Sequence, residues 1–175
     1  MTKAAYIGVG SNIDDSYKNC LKGLRAVIND ERVRYVALSS FYRTSPVSPV
    51  KQADFINCAL KIEWAASPVE LLSFLNGIEF HMGRERTIPL GPRVLDLDIL
   101  LYGDLLLDEP ELTIPHPRLH QRKFALVPCL EIDPDLSHPR LGLPLAAFLK
   151  NVGDEQKIAF LGRITVDELL SGGKV

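Results

Sequence analysis

Between Val94 and Tyr102 the chain is apolar except at Asp96 and Asp98, and Gly103-Asp104 closes the run. A largely apolar stretch of this length, bounded by a turn signal, reads as a largely buried strand. Side chains alternate along a strand at about 3.3 Å per residue, so Asp96 and Asp98 share one face roughly 7 Å apart. Acids on a single strand are ordinarily just solvated. Here the flanking Leu95, Leu97, Ile99 and Leu100 argue for a buried strand and therefore for a function. Two carboxylates at that separation can ligate one magnesium or bridge two.

The rest of the chain supplies partners for this strand. Ala4 to Val9 is a short apolar strand that runs into the tight loop Gly8-Val9-Gly10-Ser11-Asn12. A helix follows, capped by Asp14, Asp15 or Ser16, with Tyr17, Leu21, Leu24 and Ile28 at helical spacing. Val33 to Tyr42 reads as a strand, Thr44 to Val50 as an exposed proline-broken loop, and Phe55 to Trp64 as a strand with Cys58, Leu60, Ile62 and Trp64 on one face. Ser67-Pro68-Val69-Glu70 has the form of a capping box with proline in the first turn. The helix it starts buries Leu71, Leu75, Ile78 and Met82 and ends at Gly83, while Leu72, Asn76 and Glu79 line a neighbouring stripe. Short helices are expected from Leu119 to about Leu130 and from Leu145 to Lys150, and no role is assigned to the tail after about Leu149. The order β, α, β, β, α, β predicts an α+β, ferredoxin-like sandwich, an antiparallel sheet with helices on one face.

With 175 residues, 46% of them hydrophobic, the chain reads as one domain over 1–175. A formal net charge of −2 gives no global attraction for nucleic acid or anionic membrane, so any anion site must be local. Cys20, Cys58 and Cys129 have neither zinc nor disulfide-scaffold spacing and read as core thiols. No segment approaches the roughly 20 apolar residues of a membrane span. A soluble, cytoplasmic monomer is expected.

Arg84, Arg86 and Arg93 flank the acidic strand and offer cationic forks for phosphates. His116, wedged between Pro115 and Pro117, opens a second basic cluster with Arg118, His120, Arg122 and Lys123. There is no Walker phosphate loop, no dinucleotide fingerprint and no nucleophile elbow. If ATP binds, arginines and magnesium hold it. An RNA-recognition module would share this element order, but its aromatic strand motif is missing. A non-catalytic ferredoxin-like nucleotide- or RNA-binding module is the alternative, and it would bind without turnover.

Taken together, Tyr6 to Asn12, Ser39 to Thr44, Phe55-Ile56-Asn57, Ile78-Glu79 with Gly83-Arg84, Gly91 to Ile99 and Ile114-Pro115-His116 resemble the 6-hydroxymethyl-7,8-dihydropterin pyrophosphokinases. The resemblance covers about residues 4–130. It implies pyrophosphoryl transfer from ATP to the hydroxymethyl group of that pterin in folate biosynthesis, with AMP released, and small-molecule partners only. It implies two magnesium ions on Asp96 and Asp98, with Arg84 and Arg93 also catalytic. Thr44, Val47, Phe55, Asn57, Asp96 and Phe124 would surround the pterin, its ring between the two phenylalanines. Leu72, Asn76, Glu79, Arg84, Arg86, Arg93, Ile99, Thr113, His116 and Arg122 would line the nucleotide side. The chain departs from the family in the short loop Thr87-Ile88-Pro89-Leu90, in Phe55 where tyrosine is frequent, and in Glu111 and Pro117 near the nucleotide.

Overall fold

The computed structural model describes residues 2–84 and 89–172. Strand β1 (Lys3–Ser11) leads to helix α1 (Ser16–Ile28), followed by β2 (Val33–Leu38), β3 (Phe41–Thr44), β4 (Phe55–Trp64), helix α2 (Pro68–His81) and β5 (Asp96–Tyr102). A small hairpin of β6 (Leu107–Asp108) and β7 (Thr113–Ile114), a 3-10 turn (Leu119–Gln121) and helix α3 (Lys123–Ile132) come next. A second hairpin of β8 (Ser137–His138) and β9 (Leu143–Pro144), helix α4 (Leu145–Leu149), strand β10 (Ile158–Gly162) and helix α5 (Val166–Leu170) complete it. The main sheet has the order β10-β3-β4-β1-β5, with β2 also paired to β4, and all its pairings are antiparallel.

Local signals set the helix ends. Asp15, of the three candidates, caps α1 by accepting the Lys18 amide at 3.0 Å. The capping box of α2 is complete: Glu70 donates its amide to the Ser67 hydroxyl, and the Glu70 carboxylate accepts the Ser67 amide at 2.9 Å.

Strand alternation divides the sheet's side chains between two cores. Ala5, Ile7, Val9, Cys58, Leu60, Ile62, Leu97 and Ile99 pack with α1 and α2. Tyr6, Ala59, Leu100 and Leu101 pack instead with Ala125, Leu126 and Cys129 of α3 and with Leu145 and Phe148 of α4. Leu100 and Leu101 fall on one side because the register with β1 shifts between Tyr6 and Ile7, a bulge that inserts Leu100. Helices therefore cover both faces, where the sequence reading placed them on one. All three cysteines are buried and free.

Two expected elements are split. The strand read over 33–42 breaks at Ser39-Ser40, because Ser39 exchanges hydrogen bonds with Ala59 and Ser40 gives its amide and hydroxyl to the Glu131 carboxylate at 2.9 and 2.7 Å. β2 consequently runs beside Leu60 to Trp64 of β4, and β3 beside Phe55 to Asn57. The helix expected from Leu119 is interrupted at Arg122, whose extended backbone separates the 3-10 turn from α3. Strand β10 and helix α5 lie in the tail to which the sequence assigned nothing.

Candidate active site

The second sheet face is covered by α3 and α4 at the Tyr6 end, while its other end carries polar groups. The register puts Asn57, Gly10 and Asp96 side by side across three strands, and Ala59, Gly8 and Asp98 in the adjacent row. Cross-strand neighbours on one face lie about 5 Å apart, so the glycines leave a gap between the Asn57 amide and the carboxylates. A Cβ on Gly10 would sit 2.5 Å from Asn57 Oδ1. Asn57 is oriented by donating from Nδ2 to Thr44 Oγ1 at 2.6 Å.

The end of α2 delivers the first arginine. Gly83, at φ +82°, follows the last turn. The Gly83 amide bonds to Phe80 O and the Arg84 amide to Glu79 O, both at 3.0 Å, the two bonds of a Schellman cap. The cap carries Arg84 back over Glu79, and its guanidinium pairs with the Glu79 carboxylate and, at 2.9 Å, with Asp96 Oδ1. Burial raises the Glu79 pKa, opposed by the Leu97 amide donated to Oε1 at 2.7 Å and by Arg84. Arg84 is drawn in from the surface by these acids. Its side chain is 13% exposed and that of Glu79 4%, so the pairing with Glu79 is buried and shared with the acidic strand.

Arg93 grips the second oxygen of Asp96. Its backbone is fastened by Asn12, whose Oδ1 accepts the Arg93 amide at 2.8 Å and whose own amide donates to Arg93 O at 3.0 Å. The same side chain donates to Gln52 Oε1 and Ala53 O. Gln52 in turn donates to Leu90 O at 2.8 Å, as does Ser48 Oγ at 3.1 Å. Asn12, Ser48 and Gln52 are thus structural ties of the site that residue-by-residue reading missed. Only the Gly-Ser-Asn loop hinted at Asn12.

Asp98 Oδ2 lies 3.7 Å from Arg122 and 3.9 Å from His116 Nε2. Burial, with repulsion from Asp96 next, raises its pKa to about 7, although 34% of the side chain still opens to the cleft. His116 is pushed the other way, down to about 4, by burial and by Arg122 and Arg118. Its Nδ1 accepts the Arg118 amide at 3.1 Å, and its Nε2 faces Arg122 Nη1 at 3.5 Å.

Two clefts meet at these acids. One is lined by Thr44, Val47, Phe55, Asn57, Asp96 and Phe124, together with Ser45, Gly91, Arg93 and Arg122. The other is lined by Leu72, Asn76, Glu79, Arg84, Ile99, Thr113 and His116, with Asp98, Glu111 and Pro117. Arg93 and Arg122, read from sequence as nucleotide-side residues, line the first cleft; both reach the acids from there. Arg86 lies outside the described residues, as do Thr87 and Ile88 of the short loop.

Among the described residues no three His, Cys, Asp or Glu side chains gather as a metal cage. Magnesium does not require one, since it takes one or two carboxylates and fills its shell with water and phosphate. Asp96 Oδ1 fits that use: it is buried, it receives no hydrogen bond from the described residues, and its neighbour there is the ion-paired Arg84 guanidinium at 2.9 Å. No helix among the described residues is long and apolar enough to cross a membrane.

Comparison with known proteins accords with this geometry. The model of the 7,8-dihydro-6-hydroxymethylpterin-pyrophosphokinase family matches residues 6–134. The chain is 39% identical over 154 residues to the 2-amino-4-hydroxy-6-hydroxymethyldihydropteridine pyrophosphokinase of Haemophilus influenzae, covering 88% of this chain and 96% of that protein. It is 38% identical over 189 residues to folic acid synthesis protein fol1 of Schizosaccharomyces pombe, covering 99% of this chain but 26% of that protein. The chain thus spans nearly all of some curated relatives and about a quarter of others. Crystallised Plasmodium falciparum HPPK-DHPS, wild type with pteroate, has a similar fold at TM-score 0.66 and 13% identity, covering 92% of this chain and 50% of that one. A match running from Tyr6 to Pro134, with full-length relatives near 39% identity, establishes that the chain belongs to the 7,8-dihydro-6-hydroxymethylpterin-pyrophosphokinase family.

Proposed function

We propose that this chain moves the pyrophosphoryl group of ATP onto the hydroxymethyl group of 6-hydroxymethyl-7,8-dihydropterin, releasing AMP, as the pyrophosphokinase step of folate synthesis. The observation that supports this reading is the meeting of two differently lined clefts at Asp96 and Asp98. One cleft has aromatic walls and a held amide, which suits a flat, hydrogen-bonding heterocycle. The other is lined by arginine, histidine and aliphatic groups, which suits a nucleotide and its phosphates.

In this reading Phe55 and Phe124 stack the pterin, and Asn57 reads its edge with the polar atoms that Thr44 does not occupy. Leu72 and Ile99 flank the nucleotide, with Asn76, Glu79 and Thr113 beside them. His116 contacts the phosphates from the nucleotide cleft, and Arg84, Arg86, Arg93 and Arg122 surround them with positive charge. Two magnesium ions held by Asp96 and Asp98 would neutralise phosphate charge and polarise the group being transferred. The pterin hydroxyl oxygen bonds to the β-phosphorus in line, the bridging oxygen departs on AMP, and the hydroxyl proton is released. Such transfers depend on positioning and charge more than on a strong base.

The test is AMP release from ATP and magnesium, measured with and without the reduced pterin. AMP appearing one for one with pterin diphosphate supports the reading. AMP formed without the pterin, or binding of ATP with no AMP, would refute it, the latter result in favour of a non-catalytic module.

A further inference from the structure

Helix α3 starts at Lys123, and the residue in its N-cap position, Arg122, makes no capping bond with its side chain. That position ordinarily holds Ser, Thr, Asp or Asn, whose side chain accepts an orphan amide of the first turn. Here it is given over to an arginine that lines the aromatic cleft 3.7 Å from Asp98. The missing acceptor comes from the tail. Gln156 Oε1 accepts the Lys123 amide at 2.9 Å from 33 residues away, and Gln156 Nε2 donates to Gln121 O at 2.8 Å. One side chain thus grips the backbone on both sides of Arg122, with Phe124 the next residue but one.

The same stretch of tail holds the opposite wall. Lys157 donates its amide to Ser45 Oγ at 2.9 Å, Ser45 returns its own to Lys157 O at 3.1 Å, and Ser45 Oγ donates to Glu155 O at 3.2 Å. Strand β10 then continues along β3, with Ile158 opposite Thr44. Beyond it the tail is anchored: Leu169 is fully buried in the core beneath α1, and its carbonyl accepts from Arg25 Nε at 2.5 Å. Residues 155–158 therefore form a strap between the Thr44-Ser45 wall and the Arg122-to-Phe124 wall.

We propose that Gln156 is a positioning residue for the aromatic cleft, and that the strap sets the spacing of its two walls and so the affinity for the pterin. The proposal rests on the assignment of that cleft to the pterin. It adds a determinant beyond residue 134, where the family match stops.

The test measures the KM for the pterin, the KM for ATP, kcat and Tm for the whole chain and for Gln156→Ala and Gln156→Glu. Small misplacements of positioning groups are costly, so Gln156→Ala should raise the pterin KM roughly tenfold while leaving the KM for ATP and kcat within about twofold. Gln156→Glu keeps the acceptor for Lys123 but loses the donor to Gln121, and should fall between, carrying the test alone if the alanine variant does not fold. An unchanged pterin KM would overturn the proposal, as would equal losses on both substrates that follow a lowered Tm. If the unmodified chain released no AMP, the assigned reaction would fail instead; calorimetric titration of the pterin into chain and variants would then decide the role of Gln156, equal affinities overturning it.

Discussion

On the sheet face turned toward α1 and α2, β1, β4 and β5 present Ile7, Val9, Cys58, Leu60, Leu97 and Ile99, none more than 4% exposed. Turned the other way, at the end of the same strands that α3 and α4 leave open, are Gly8, Gly10, Phe55, Asn57, Asp96 and Asp98. Period-two alternation lets the same three strands use one set of side chains for cohesion and the other for chemistry. The first set supplies the hydrophobic stabilisation, while the second keeps two acids together in poor solvent, an arrangement that costs stability. The difference teaches that the burden of the site is carried on the reverse side of its own strands. Mutations on the two faces should therefore have separable consequences.

The largest effect should come from Asp98→Ala, with turnover falling about 1,000-fold or more, as loss of charge stabilisation at the transferring group implies, and with the fold retained. Near-normal turnover at saturating magnesium would break the comparison at its functional side. Leu60→Ala should do the reverse: a loss of about 3 kcal/mol by denaturant unfolding, with turnover per folded molecule unchanged. A stable but inactive Leu60→Ala protein would show that the faces are not separable.

Arg84→Ala should lower turnover about 100-fold, as removal of a transition-state donor does. It should also lower Tm, because Glu79 is left buried without its cation. Leu90→Ala, in the short loop, should cost less. Unchanged kcat in a folded Arg84→Ala protein would reduce the arginine to a structural partner of Glu79.

The smallest effect concerns pH. Asp98 is raised from 3.8 to about 7, so without magnesium the native state holds a proton that the unfolded chain releases. Its contribution to stability is complete below pH 3.8 and is lost as pH rises through 7. His116, lowered from 6.5 to about 4, works the opposite way, its contribution being lost as pH falls through 4. Comparison with Asp98→Asn isolates the first: at pH 8 without magnesium the variant should melt higher than the unmodified chain, and the gap should close toward pH 4. A gap that stayed constant with pH would show that Asp98 is not the titrating group.

Much of the chemistry was readable from residues alone. The acids on an apolar strand, the capping box at Ser67, the glycine that ends α2 and the stripe of Leu72, Asn76 and Glu79 are patterns within a few positions of one another. Such patterns report local geometry whatever the rest of the chain does. The resemblance then supplied many of the residues that line the two clefts, although Arg93 and Arg122, expected on the nucleotide side, line the aromatic one.

The alternation of β1, β4 and β5, the ends of α1 and α2, and the motif that marks the family follow from the order of residues alone. Tertiary structure alone decided that the strand expected over 33–42 breaks where Glu131, 91 residues away, takes hold of Ser40. It also decided that α3 and α4 cover the reverse face, that Asn12 clamps Arg93, and that a tail with no local signal caps α3 through Gln156. The physical reason is the range of the interactions. Propensity, capping and periodicity act over one or two turns, whereas a buried amide or carboxylate accepts whichever partner the packed chain brings to it, at any separation in sequence.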